Sequence, residues 1–299
     1  MAVKYRIRES TARKAFLLFD YLFLSFSALT CLLPLVNMLA ISFSSGNAAI
    51  AGYVKFLPVQ FTLDAYKYVA SRGEFWNSFL VSVERIALGL PLGLLVTVLT
   101  AYPMSKDSRV MPGRNFYTYF ILIPMLFGGG LIPWFLTVRA LGLTNNLLGL
   151  VIPGLVGTYY VILMMNFMRN LPKEIEESAF IDGAGPLTTL FKITLPLCLP
   201  SLATIALFTL VAHWNAWFDG IILMDSKKMY PLQSYLQSLI VQNDPRKMMN
   251  GSEQRAFAAM NLKTFKAAQI FIATVPVLAA YPFLQKYFTK GIVLGSVKG

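Results

Sequence analysis

The stretch "EESAFIDGAGPLTTLFKITLP", Glu176 to Pro196, decides how the rest of the chain is read. Most of the sequence is apolar enough for lipid, whereas this piece carries acids, closely spaced glycines, a proline and then a short patterned apolar run. Its local chemistry predicts helix, turn, helix. Pro172 suits a helix start, and the run from Lys173 to Ile181 sets Ile175, Ala179 and Phe180 towards one side. Asp182 and Gly183 form a break, because Asp accepts local backbone hydrogen bonds and Gly takes a positive φ without steric cost. Pro186 fits the first turn of a second helix, in which Leu187, Leu190, Phe191 and Leu195 recur at the spacing of one face. Pro196 and Pro200 punctuate the chain before the next long apolar run, so that face has no need of lipid. A short amphipathic helix beside a membrane suits a groove on another protein. Each residue also admits a plainer reading: Glu177 and Asp182 as solvated caps, Gly183 as a helix stop, Leu187, Leu190 and Phe191 as packing on the parent bundle.

Outward from this loop, the 299 residues are 56% hydrophobic and only 13% charged, with a mean hydropathy of +0.60. That exceeds what a soluble core needs and implies an all-α, polytopic membrane protein. Six segments suffice to cross a hydrocarbon layer, for which roughly 20 residues are required: near 16–43, 77–102, 115–138, 147–168, 201–224 and 264–284. Lys and Arg cluster in "MAVKYRIRESTARK", in "MSKDSRVMPGR", in the loop itself (Arg169, Lys173, Lys192) and in the tail (Lys286, Lys290, Lys298). Both termini and the loop are therefore expected on the cytoplasmic side. We expect a single membrane domain over 1–299, with a cytoplasmic N-terminal segment 1–15, a loop at about 169–200 and an outer loop at about 225–262. The formal charge of +12 does not point to nucleic acid, because the bases sit at span ends as topology requires. Cys31 and Cys198 fall at opposite sides and are not expected to pair, and the first span is too long for a signal-peptide core.

Three further places draw attention. "FGGGLIPW" puts Gly128, Gly129 and Gly130 inside the third span, where irregular backbone implies either a cavity lining or close helix packing. "HWNAWFDG" sets His213, Trp214, Asn215, Trp217 and Asp219 in the fifth span. Flat apolar faces with an amide and an acid suit a sugar, although Trp also belongs to the interfacial belt. Glu84 and Arg85 are adjacent in the second span, point different ways and need partners; Arg85 is a candidate for an anionic solute. In the outer loop, Leu232, Tyr235, Leu236 and Leu239 predict an amphipathic helix, lying either on its own bundle or against an external partner. No phosphate-binding loop, hydrolase triad, metal-ligand cluster or dinucleotide fingerprint occurs, so any transport is expected to draw its energy from another polypeptide.

The loop resembles the "EAA" loop of binding-protein-dependent ABC importers, which reads Glu-Ala-Ala, three residues, Gly, nine residues, Ile-x-Leu-Pro. Here Glu177-Ser178-Ala179 precedes Gly183, and Ile193-Thr194-Leu195-Pro196 follows at that spacing, with Ser178 in place of the middle alanine. The "DGA" of Asp182 to Ala184 and the "WN" of Trp214-Asn215 are similar to the carbohydrate-uptake branch that contains the maltose permease subunits. "TAYPMSKD", "FGGGLIP" and the C-terminal forty residues resemble the subgroup serving oligosaccharides such as alginate and pectin fragments. The resemblance implies a type I importer permease fold with six transmembrane helices and no catalysis of its own. It also implies a second homologous permease, two ABC ATPase subunits that bind ATP and Mg, and an extracytoplasmic solute-binding protein that delivers an oligosaccharide. In that reading the loop from Glu177 to Pro196 couples to the ATPases, and Tyr235, Leu236 and Leu239 are candidates for contact with the binding protein. A permease for a non-sugar solute and an ion-coupled carrier are the alternatives.

Overall fold

The computed structural model describes residues 10–241 and 262–296. Most of the N-terminal basic cluster, residues 242–261 of the outer loop and the last residues of the tail lie outside them. Among the described residues the chain is helical, and the one pairing of extended backbone is an isolated antiparallel bridge between Ser44 and Phe61. It packs as two compact units, residues 1–71 with 246–272 and residues 72–245 with 273–299.

In the first unit, α1 (Thr11–Ser42) starts at Ser10, whose hydroxyl accepts from the Arg13 amide at 3.2 Å and so satisfies one of the free N–H groups of the first turn. Its side chains from Phe16 to Val36 are largely exposed and apolar, as lipid-facing residues are, and burial begins only at Ala40, Ile41 and Ser42. Those residues pack with Ala48 and Ala49 of α2 (Gly46–Ile50), with Val54 and with Ala267. The short α3 (Asp64–Ser71) follows in the same unit.

The second unit is built on α4 (Gly73–Ser105). Then come α5 (Arg114–Leu126), α6 (Leu131–Ala140), α7 (Thr158–Arg169) and α8 (Lys173–Ile181). Beyond these lie α9 (Pro186–Thr189), α10 (Leu195–Leu197), α11 (Leu199–Asn215), α12 (Phe218–Leu223) and α13 (Leu232–Val241); α14 (Leu262–Ser296) belongs to the first unit up to Ile272 and to the second from Ala273. The core lies where α4, α7 and α11 meet, through Val98, Ala101, Met104, Val161, Met164, Met165 and Ile205. Gly89 leaves room on α4 for His213 of α11, since a Cβ there would stand 2.7 Å from its Nε2.

The expected spans are present with corrections. Helices Thr11–Ser42, Gly73–Ser105 and Leu262–Ala279 are each long and apolar enough to cross a membrane. The other three are bent pairs: α5 and α6 meet at 117°, residues 147–154 and α7 at 48°, and residues 186–197 and α11 at 82°. The third span is therefore not one helix over 115–138 but breaks at Phe127–Gly130, where glycine removes both side-chain packing and the preference for helical φ. The fifth stops at Asn215 rather than running on to 224, and α12 follows as a separate short helix. The outer helix forms as α13, but Leu232, Tyr235 and Leu236 are buried and Leu239 is half-buried. The Leu232 amide donates to Ser82 Oγ at 2.7 Å, and the Tyr235 ring meets Phe75 edge-on. Tyr235 and Leu236 thus lie against their own bundle, the plainer of the two readings that the spacing left open, while Leu239 stays partly exposed.

Candidate functional site

The loop is built as its sequence dictates. Pro172 precedes α8, and Glu174 and Glu176 lie in its first turn, where carboxylates favour the positive end of the helix dipole. Asp182 ends the helix and Gly183 follows with φ +81°. The Gly183 amide donates to the Phe180 carbonyl at 3.1 Å and the Ala184 amide to the Ala179 carbonyl at 2.9 Å. This pair of crossed bonds is a Schellman closure, which needs a left-handed residue at Gly183. Pro186 then opens α9.

Between α9 and α10, residues Leu190–Thr194 form a π-helical turn. The wider turn changes the register that a regular helix would keep, so the expected single face of Leu187, Leu190, Phe191 and Leu195 is split. Leu190 is fully buried in the bundle and Leu195 is half-buried against it, whereas Leu187 and Phe191 remain exposed. Ile193 is half-buried; Glu177, Asp182, Gly183, Pro186 and Pro196 are exposed, Ala184 is partly covered and Ala179 is buried.

Glu176, one residue before the stretch that carries the resemblance, is the residue that sequence reasoning passed over. Its carboxylate pairs with Lys106 at the end of α4 and accepts from Thr194 Oγ1 at 3.1 Å. The Lys106 ammonium also stands 3.8 Å from the centroid of the Tyr102 ring. One carboxylate thereby ties α8 to α4 and to the π-helical turn. Outside this knot Lys173 donates to Asp107 at 2.7 Å; that hydrogen bond holds the Asp107 carboxyl below its usual range and the Lys173 ammonium above its own. Arg169 donates to the Met104 carbonyl at 2.9 Å. The anchored side of the loop is thus fixed at several points, while Phe180, Ile181, Leu187 and Phe191 form an exposed apolar edge.

The second place of interest lies within the membrane-spanning part. Arg85 of α4 is 4% exposed and its guanidinium forks onto the Asp219 carboxylate of α12, with Nη1 donating to Oδ1 at 3.2 Å. Its Nε donates to Nδ1 of His213 at 3.2 Å. The charge offered to an anionic solute is therefore already matched by Asp219, while the neighbouring Glu84 is exposed on α4. Trp214 is also turned inward: it is buried, meets Phe79 edge-on and donates its indole N–H to the Ala273 carbonyl at 2.9 Å.

The remaining candidates do come together. Gly128, Gly129 and Gly130 share one concavity of about 640 Å³ with Trp134, Asn215, Trp217 and Asp219. Trp134, at the start of α6, was not singled out in the sequence; the tryptophan after "GGGLIP" was its only signal. This arrangement offers indole faces, an amide and glycine backbone around a mostly buried carboxylate paired with Arg85, with the breaks of the third and fifth spans lining one concavity.

Comparison with known proteins bears on the chain as a whole. A family model described as "binding-protein-dependent transport system inner membrane component" matches residues 68–293. The polygalacturonan/rhamnogalacturonan transport system permease protein YtcP of Bacillus subtilis (strain 168) is 38% identical over 290 residues, covering 94% of this chain and 99% of that protein. Protein LplC of the same organism is 37% identical over 300 residues and covers both chains completely, at 100% each. A crystal structure of a bacterial ABC transporter involved in the import of the acidic polysaccharide alginate contains a chain of 32% identity with a TM-score of 0.86, covering 94% of this chain and 99% of that one.

Proposed function

Since this chain belongs to the family of binding-protein-dependent transport system inner membrane components, we propose that it is one half of the pore of an ATP-driven importer of oligosaccharides. A second, homologous permease supplies the other half, and two ABC ATPase subunits bind ATP and Mg and carry out the hydrolysis. An extracytoplasmic solute-binding protein delivers the sugar from the outer side. Both termini face the cytoplasm, in line with the basic residues at the inner span ends.

The observation that carries this reading is the division of the loop into an anchored and a free side. Leu190, Thr194 and Glu176 join it to α4 and the bundle, and Phe180, Ile181, Leu187 and Phe191 stand free to enter a groove of an ATPase subunit. A ridge held this way moves with the helices behind it. Closure of the ATPases then shifts α8 and the segment 186–197, and the 82° bend passes that motion into α11. At the far end of α11 lie Asn215 and the cavity of Trp134, Trp217 and Asp219. Indole faces against the C–H bonds of a pyranose, with an amide for hydroxyl groups, support a sugar as the solute. The relatives' sugars favour uronate-containing chains; Arg85 adds nothing to that preference, being occupied by Asp219.

The test is ATP hydrolysis by the complex that copurifies with the tagged chain, in lipid, with its binding protein and a panel of neutral and acidic oligosaccharides. Stimulation by one sugar class is expected. If no ATPase accompanies the chain, or no sugar raises hydrolysis, the reading fails.

A further inference from the structure

The cavity of Trp134, Trp217 and Asp219 does not end at Asn215. A second concavity of about 610 Å³ begins there, sharing Ala212 and Asn215 with the first and bounded by Tyr159, Tyr160, Leu207, Phe208 and Val277. Two interruptions of helical backbone line the first concavity, Gly128–Gly130 between α5 and α6 and Ala216–Trp217 between α11 and α12, and Tyr159 and Tyr160 of the second stand in the first turn of α7, just after the break at Leu155–Gly157. Broken spans at membrane depth persist where they line a polar or watery path.

The chemistry of the second wall is distinct from that of the first. Its polar groups are the Asn215 amide and two phenols, and it has no charged side chain. The Tyr160 and Phe208 rings lie with centroids 6.4 Å apart and planes within 17°, and Tyr159 stands against Tyr160 at 68°. Tyr159 is 56% and Phe208 39% exposed, so aromatic surface faces the opening. Nearly parallel aromatic faces beside an amide present apolar area to ring C–H bonds and hydrogen-bonding groups to equatorial hydroxyls.

We infer that Tyr159, Tyr160, Phe208 and Asn215 form a second saccharide subsite continuous with the first, so that this chain holds two successive rings and favours longer chains over short ones. The inference rests on the sugar reading above and specifies how much of the sugar the chain contacts. Asn215 sits at the junction and serves both rings, and the unit beyond it stacks on the aromatic wall.

The experiment uses the complete transporter in proteoliposomes with its binding protein saturated at every sugar length, so that capture does not set the rate. Probes are oligogalacturonides and neutral glucooligosaccharides of increasing length. Tyr160→Leu and Phe208→Leu keep apolar volume but lose the flat face; Tyr159→Ala removes a ring that is mostly exposed; Tyr160→Phe keeps the face. The first three are expected to slow uptake of the longer chains about three- to tenfold, the scale of one aromatic contact. They leave the shortest transported chain within about twofold, and Tyr160→Phe, which keeps the ring face and gives up only the phenol, loses less on the longer chains than Tyr160→Leu. Equal loss at all lengths, or no loss, overturns the subsite while leaving the importer reading intact. A wild-type transporter that moves no sugar overturns both.

Discussion

Arg85 shows how a single residue is made tolerable inside a membrane. A buried guanidinium is costly unless matched, and here Asp219 and His213 satisfy it from two other helices. Asp219→Asn leaves that charge uncompensated and is expected to destabilise the chain by about 3 kcal/mol or more, read as a lower unfolding temperature in detergent. The double replacement Arg85→Met with Asp219→Leu removes both charges and recovers most of the loss. A double variant no better than the single one would show that the pair is not the source. Gly183 is the second residue whose identity is dictated by geometry. Its φ of +81° has open space around it, so the constraint is on backbone alone. Gly183→Val therefore strains the turn by about 1–2 kcal/mol, and we expect normal membrane insertion with loss of ATPase association. Retained association in copurification would exclude that role for the turn.

At the scale of elements, α4 and α11 touch where Gly89 meets His213. A methyl group at Gly89 would stand 2.7 Å from the imidazole Nε2, too near for ordinary contact. Gly89→Ala should push His213 off Arg85 and cost about 1–3 kcal/mol, the usual range for overpacking. Adding His213→Ala opens the space, so the double variant is expected to be more stable than Gly89→Ala alone. Strict additivity of the two losses would mean that they do not share this contact. The π-helical turn at 190–194 works on the same scale. By changing the register it buries Leu190 and Thr194 together and leaves Leu187 and Phe191 outside.

On the scale of the whole molecule, the proposed transport reading places the loop and α13 at opposite membrane faces. In a Cys31→Ser background, a cysteine at Ser178 is expected to react with an impermeant thiol reagent only from the cytoplasmic side, and one at Ser226 only from the outer side. Cys198 is buried and contributes little labelling. Reaction of both introduced thiols from the same side would overturn the topology on which the transport reading stands.

What the sequence determined by itself is what depends on neighbours along the chain. Asp182-Gly183 is a turn and Pro186 a helix start because their φ preferences are local, and the spans are spans because apolar length is counted residue by residue. The tertiary structure alone decided what depends on residues far apart. Arg85 finds Asp219 at a separation of 134 positions, and Glu176 finds Lys106 at 70. The same holds for Trp214 and Tyr235, aromatic residues that suited a solute or a partner on composition but lie buried against their own bundle. It holds also for the cavity, where the glycines of one broken span and the Asn, Trp and Asp of another become neighbours. A helix face has a definite pattern in sequence; which surface covers it is settled only by packing, since contacts between helices carry no signature in local spacing.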